Sequence, residues 1–256
     1  MDLSGKTVLI TGAAGRIGSA TARMALASGA DLVLVDIDVE RLAILNSELT
    51  ELSSQEVYSF PCDITSSIGI NQLFAWLGRS FLAITSAVHC AYPTSAGWGA
   101  KFEELIEENL HQDLHMQLGG AILFSQKVLG YFLEQGGGEL VHISSVQGVQ
   151  APKFDHYDGT QMTSPVEYAA IKSGIISITR WLSKYHANKG IRVNCVSPGG
   201  IMDNQPEVFL ERYRQSCTNI GMLDSDHIAN AIVFLLSPAS KAINGQNLIV
   251  DDGWSL

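Results

Sequence analysis

Hydrophobic positions along the chain follow two alternating patterns. Short unbroken apolar runs, such as Thr7-Val8-Leu9-Ile10 and Asp31-Leu32-Val33-Leu34-Val35, are separated by stretches in which apolar residues recur every three or four positions. The runs predict buried strands at 7–10, 31–35, 57–60, 82–88, 139–143, 191–196 and 247–250. The periodic stretches predict helices at 16–28, 39–52, 68–77, 118–132, 166–186 and 226–236. In the second of these, Leu42, Leu45, Leu49 and Leu52 form one stripe. Strands that are apolar on both faces and alternate with helices require a parallel sheet covered on both sides. Right-handed crossovers make it a doubly wound α/β sheet. No repeat or linker interrupts the pattern, so residues 1–256 read as one domain.

Composition narrows the classes of function. A 256-residue chain with 46% hydrophobic and 16% charged residues suits a large α/β core and not a disordered or coiled-coil protein. The net charge of −10 comes without any dense Lys/Arg run, which argues against a nucleic-acid partner. Cys62, Cys90, Cys195 and Cys217 form no CxxC pair, and the first three read as small buried hydrophobes. His111 and His115 share a helical face but lack a third ligand, so no metal is expected. No apolar run reaches membrane-spanning length, and the first residues lack the pattern of a signal peptide. The expected location is the cytoplasm, with no membrane partner.

The first strand runs into Thr11-Gly12-Ala13-Ala14-Gly15-Arg16-Ile17-Gly18. Small residues there let the backbone approach a pyrophosphate, and the following helix aims its N–H groups at it. Gly12, Gly15, Arg16, Ile17 and Gly18 are therefore candidate cofactor residues. Asp36 ends the second strand, where an acid accepts both ribose hydroxyls of an adenosine and repels a 2′-phosphate. This favours NAD(H) over NADP(H), with Asp38 a rival for the role and Arg16 and Arg41 softening the exclusion.

Tyr168 and Lys172 stand four apart on one helical face. A free phenol has a pKa near ~10 and a neighbouring ammonium favours the phenolate, so the pair predicts proton transfer at neutral pH. At this point the chain resembles the short-chain dehydrogenase/reductase family over nearly its whole length. The glycine turn, Ser144-Ser145, Tyr168-Ala169-Ala170-Ile171-Lys172 and Asn194-Cys195-Val196-Ser197-Pro198-Gly199 occur in the family's order. The resemblance implies an oxidoreductase with Tyr168 as general acid/base. It further implies that Lys172 bonds the nicotinamide ribose and that Ser145 holds the substrate oxygen, with Ser144 as runner-up. Asp63 matches the acid that accepts from the adenine amino group, or else is an ordinary loop acid; Ile64, Ala91, Pro198, Gly199 and Ile201 complete the cofactor set. It also implies a homodimer or homotetramer, and a division into a cofactor half (about 1–145) and a catalytic and substrate half (about 146–256).

Several positions depart from the family's pattern. Arg16 replaces the middle glycine of the turn, and His89-Cys90-Ala91-Tyr92 replaces Asn-Asn-Ala-Gly. The asparagine of the catalytic tetrad maps to Gln117, and the threonine after the Pro-Gly turn to Asp203. Residues 153–165 add length between Ser145 and Tyr168 beside the expected site, which makes them candidates for choosing the substrate.

Residues 157–160, 197–206 and 243–256 resemble one branch of the family, oxidoreductases associated with flagellin glycosylation and nonulosonic (legionaminic-type) acid synthesis. That resemblance implies a small-molecule substrate, a sugar or sugar derivative, met by His156, Tyr157 and Asp203. His142, inside a strand, reads as structural. Competing readings are an epimerase or dehydratase that retains NAD, and a non-catalytic dinucleotide-binding sensor or scaffold.

Overall fold

Each central strand buries both of its faces, and that decides the layering. Val8 and Ile10 lie in one apolar layer and Leu9 in the other; Leu32 and Leu34 alternate in the same way with Val33 and Val35. The computed structural model describes residues 1–80 and 82–256. Its strands are β1 (Thr7–Thr11), β2 (Asp31–Asp36), β3 (Val57–Pro61), β4 (Ser86–His89), β5 (Gly138–Ile143), β6 (Ile191–Pro198) and β7 (Asn247–Val250). They form one sheet in the order β3-β2-β1-β4-β5-β6-β7, with every pairing parallel. The predicted doubly wound fold is present.

Helices α1 (Arg16–Ala27) and α2 (Val39–Leu52) cover one face, and α3 (Ser67–Arg79) covers the other. Asp38 caps α2 by accepting the Arg41 N–H, and Ser66 caps α3 by accepting the Ile68 N–H. The chain runs from β1 outward to β3 and then crosses back to β4. This reversal opens a crevice beyond the carboxyl ends of β1 and β4, the place where such sheets bind ligands.

Three elements differ from the expectation. The fourth strand is confined to Ser86–His89, because the carbonyl oxygens of Leu82 and Ile84 are taken by side chains. Tyr131 Oη donates to the first at 2.8 Å and Gln135 Nε2 to the second at 3.0 Å. The helical stretch predicted at 118–132 starts earlier than its apolar period suggests: α4 (Glu107–Asp113) passes through a wide π-turn (Leu114–Gly119) into α5 (Gly120–Gln135). After α6 (Val166–Tyr185), a short helix α7 (Glu207–Gln215) precedes α8 (Ser225–Leu236). Only Phe209 and Tyr213 of α7 are buried, so its sequence carries little apolar period. Among the described residues, no helix is long and apolar enough to cross a membrane, and no group of His, Cys, Asp and Glu is arranged to hold a metal ion.

Candidate active site

The turn between β1 and α1 is shaped by what cannot fit beside it. A Cβ on Gly12 would lie 2.6 Å from Ala91 Cα, and one on Gly18 would lie 2.1 Å from the Gly12 carbonyl oxygen. Gly12 also has φ = 64°, which favours glycine. Gly15 caps α1 without a side-chain bond, so no side chain competes for the first-turn amides of Arg16, Ile17 and Gly18. Asp36 ties this turn to the end of β2, accepting the Ala14 N–H at 2.9 Å and the Asp38 N–H at 3.0 Å. Asp63 accepts both the N–H and the hydroxyl of Thr65, so its loop role is real, and it also faces the cleft.

This turn is one end of a cleft of about 760 Å³. At the other end, β5 delivers Ser144 and Ser145. Ser144 donates its hydroxyl to the Lys172 carbonyl at 2.8 Å, which commits it to α6. Ser145 Oγ accepts the Gln147 N–H at 3.1 Å, and Ser145 and Tyr168 line the same end of the cleft. Lys172, one helical turn beyond Tyr168, donates Nζ to the Ile143 carbonyl at 3.2 Å and lies 5.5 Å from the centroid of the Tyr168 ring.

Burial dominates the titration of this pair. It lowers Lys172 to about 8, against the opposing pull of the Cys195 and Cys90 thiols. It raises the Tyr168 phenol above its ordinary value, opposed by the neighbouring Ser145 hydroxyl. The expectation that the ammonium makes the phenol more acidic is therefore not met in the free protein. The surroundings explain why: Tyr92, Trp98 and Tyr168 meet edge to face with centroids 5.6–5.9 Å apart, and desolvation disfavours the phenolate.

Every residue of the predicted site lines this cleft except Gln117. Gln117 sits in the π-turn, 4% exposed, and neither atom of its amide has a hydrogen-bond partner. His89 and His142 are structural. His89 Nδ1 shares a 2.9 Å bond with Thr11 Oγ1 and its ring stacks on Phe124. His142 bonds Ser125 and Thr179 through its two ring nitrogens, each at 2.8 Å.

Beyond Tyr168 the cleft becomes aromatic. His156 reaches it, but Nε2 is bonded to Ser216 Oγ at 2.9 Å and the ring is buried among Phe209, Tyr213 and Trp254. Asp203 stands at the mouth, paired with Arg16. Pro198, Gly199 and Ile201 form the wall after β6. Sequence reasoning did not single out Tyr92, Gln147, Phe209, Tyr213 or Trp254 as site residues, although all five line the cleft. Two of them carried a signal: Tyr92 ends the stretch that replaces Asn-Asn-Ala-Gly, and Trp254 lies in the C-terminal stretch that carried the branch resemblance.

The description "Enoyl-(Acyl carrier protein) reductase" belongs to the family model that matches residues 12–255. The chain is a short-chain dehydrogenase/reductase. It is 40% identical to the "Post-translational flagellin modification protein A" of Campylobacter coli, over 99% of this chain and all of the relative. That match bears out the resemblance to the flagellin-associated branch. It is 30% identical to the 3-oxoacyl-[acyl-carrier-protein] reductase FabG of Thermotoga maritima over 99% of each chain. Among solved structures, a Leptospira borgpetersenii short-chain dehydrogenase with bound NAD+ is 29% identical, with a TM-score of 0.86, covering 100% of this chain and 94% of that one. This short-chain dehydrogenase/reductase thus has the oxidoreductase fold and a cleft suited to a nicotinamide dinucleotide, whose cradle at Gly12 and Gly18 leaves no room for side chains.

Proposed function

We propose that the protein is an NAD(H)-dependent dehydrogenase acting on a hydroxyl or keto carbon of a sugar or sugar derivative. The observation that carries this reading is the convergence of Ser145, Tyr168 and Lys172 at one end of a cleft whose other end holds Asp36. The turn residues Gly12, Gly15, Arg16, Ile17 and Gly18 would hold the pyrophosphate. Asp36 would accept the adenosine ribose hydroxyls, and Asp63 and Ile64 would flank the adenine. Ala91, Pro198, Gly199 and Ile201 would border the nicotinamide half. When bound, the dinucleotide supplies hydride transfer.

The protein's own part is proton chemistry and positioning. Ser145 holds the substrate oxygen, and Tyr168 gives or takes the proton at that oxygen. Lys172 bonds the nicotinamide ribose and places its positive charge beside the phenol. Of the groups around the phenol, it is Ser145 that counters the rise that burial imposes on Tyr168. Gln117, whose buried amide lacks a protein partner, would hold a water of the proton path, since buried polar groups without partners are natural water sites. Asp203 and Tyr157 meet the substrate, and His156 shapes the wall behind them.

The sugar assignment draws on the flagellin modification relative and on a polar and aromatic substrate end. Assembly into a homodimer or homotetramer belongs to the same reading, supported by Trp181 and Tyr185, which stack at 4.7 Å on the exposed side of α6. So does a cytoplasmic location, where NAD(H) is supplied.

NADH oxidation against a panel of keto-sugars tests the reading. Tyr168→Phe lowers turnover by ~10²–10⁴-fold and leaves the NADH dissociation constant nearly unchanged. Undiminished turnover in that variant, or NADH binding with no turnover of any panel member by the wild type, overturns it.

A further inference from the structure

One wall of the cleft carries a polar device that the proton chemistry does not use. Gln147 follows Ser145 by two residues, and its backbone N–H is bonded to Ser145 Oγ at 3.1 Å, which fixes it relative to the reacting centre. Its side chain is also held at both ends. Oε1 accepts the Ser164 hydroxyl at 2.6 Å, and Nε2 donates to Tyr157 Oη at 3.2 Å. An amide nitrogen has two protons and a phenol has one. These bonds therefore leave one Gln147 N–H and the Tyr157 O–H unspent, and both residues line the cleft. Burial keeps Tyr157 in its neutral, donating form.

The floor beneath these donors is aromatic. Tyr157 meets Phe209 edge to face at 5.3 Å, and Tyr213 stacks on Trp254 at 5.8 Å with 13° between planes. Phe209, Tyr213 and Trp254 also line the cleft. Paired donors above flat apolar faces suit a ring or chain whose carbons lie on the rings and whose oxygens point to the wall. Ser164 and Tyr157 both belong to the segment that lengthens this chain between Ser145 and Tyr168, so the same segment builds the device.

We infer that Gln147, oriented by Ser164 and Tyr157, is a specificity-determining residue that receives a second substrate oxygen close to the reacting carbon. The inference rests on the oxidoreductase reading above and deepens it: the substrates are diols or hydroxyketones, not isolated alcohols or ketones. A site built to bond an oxygen rejects the analogue that lacks it, because its own polar groups are then left without partners.

Cyclohexanol and the 1,2- and 1,3-cyclohexanediols are suitable probes. Their affinities for the full chain saturated with NADH, where no alcohol can be oxidised, are read by saturation-transfer NMR. The wild type binds its best diol about 10-fold or more tightly than cyclohexanol, and in Gln147→Leu and Tyr157→Phe that ratio falls toward one. Unchanged NADH affinity and far-UV circular dichroism show that each variant is folded. A wild type that binds diol and alcohol equally, or binds neither, overturns the inference, as does a preference that survives in both variants. Oxidation by NAD+ is followed separately on the same compounds and on free sugars. A diol preference lost in the variants, with no oxidation of any compound, leaves Gln147 in its role and removes the dehydrogenase reading instead.

Discussion

Arg16 and Asp203 form an ion pair across the mouth of the cleft, joining the first turn of α1 to the loop after β6. Arg16 also donates to the Met202 carbonyl at 3.0 Å. A cation at a helix N-terminus is poorly placed in the helix dipole, and Asp203 offsets that cost while bridging two walls that a dinucleotide must pass between. Both side chains are about half exposed, so the pair adds less than ~1 kcal/mol to stability. Asp203→Ala therefore leaves the melting temperature almost unchanged and speeds NADH dissociation several-fold in stopped-flow fluorescence. An unaltered dissociation rate would show that the pair does not restrain the mouth.

Asp36 faces two ways, holding the Ala14 and Asp38 amides while lining the cleft. In Asp36→Ala, kcat/KM with NADH falls at least ~10-fold and the ratio of NADPH to NADH use rises, because the repulsion of a 2′-phosphate is gone. The variant with NADPH stays below the wild type with NADH, since the turn has lost an anchor. Steady-state kinetics with both dinucleotides measures this.

Acid should unfold the protein through two buried imidazoles. Burial holds His89 at about 3 and His142 at about 4, against an ordinary 6.5. Their contribution is fully present above pH 6.5. Below it the unfolded chain binds protons that the native rings refuse, so stability falls by on the order of 1 kcal/mol per pH unit for each ring down to about pH 4. Urea titrations at pH 7.0, 6.0 and 5.0 measure the slope. It becomes shallower in His89→Asn, which removes one of the two rings.

Lys172 sets a basic limit on catalysis. It loses its proton at about 8 in the free protein, and the reductive direction needs both its charge and a protonated Tyr168. The kcat/KM for NADH-driven reduction falls as pH rises through about 8, whereas the phenol, raised by burial, stays protonated there. A pH–rate profile flat to pH 10 would remove Lys172 from this role.

Much of the sheet could be read from the chain because its strands are apolar on both faces, and the helix at Val39–Leu52 was bounded correctly from its stripe of leucines. The failures share a cause: structure specified by side chains far away in sequence. Residues 82–84 look like strand, yet Tyr131 and Gln135 of α5 take the carbonyls of Leu82 and Ile84. The π-turn that encloses Gln117 has no sequence period of its own. The tight turn between β1 and α1 was readable because glycines mark close backbone contact, as the 2.1 Å clash at Gly18 demonstrates. The aromatic end of the cleft was not, because Tyr92, Phe209 and Trp254 come together only through the fold.

The close approach of Gly148 to α6 has an evolutionary consequence. A Cβ there would lie 2.7 Å from the Lys172 carbonyl carbon, and Ser173 Oγ donates to the Gly148 carbonyl at 3.0 Å. The strand end that carries Ser145 is thereby riveted to the helix that carries Tyr168 and Lys172. The stretch between them, starting after Gly148 and ending where Pro165 leads into α6, runs between two fixed posts, and its own side-chain bonds, which link His156 with Ser216 and both Tyr157 and Ser164 with Gln147, leave Tyr168 and Lys172 untouched. It can be lengthened, shortened or exchanged between relatives without disturbing the reacting groups, so new substrates can be acquired by swapping a loop while the chemistry is inherited intact.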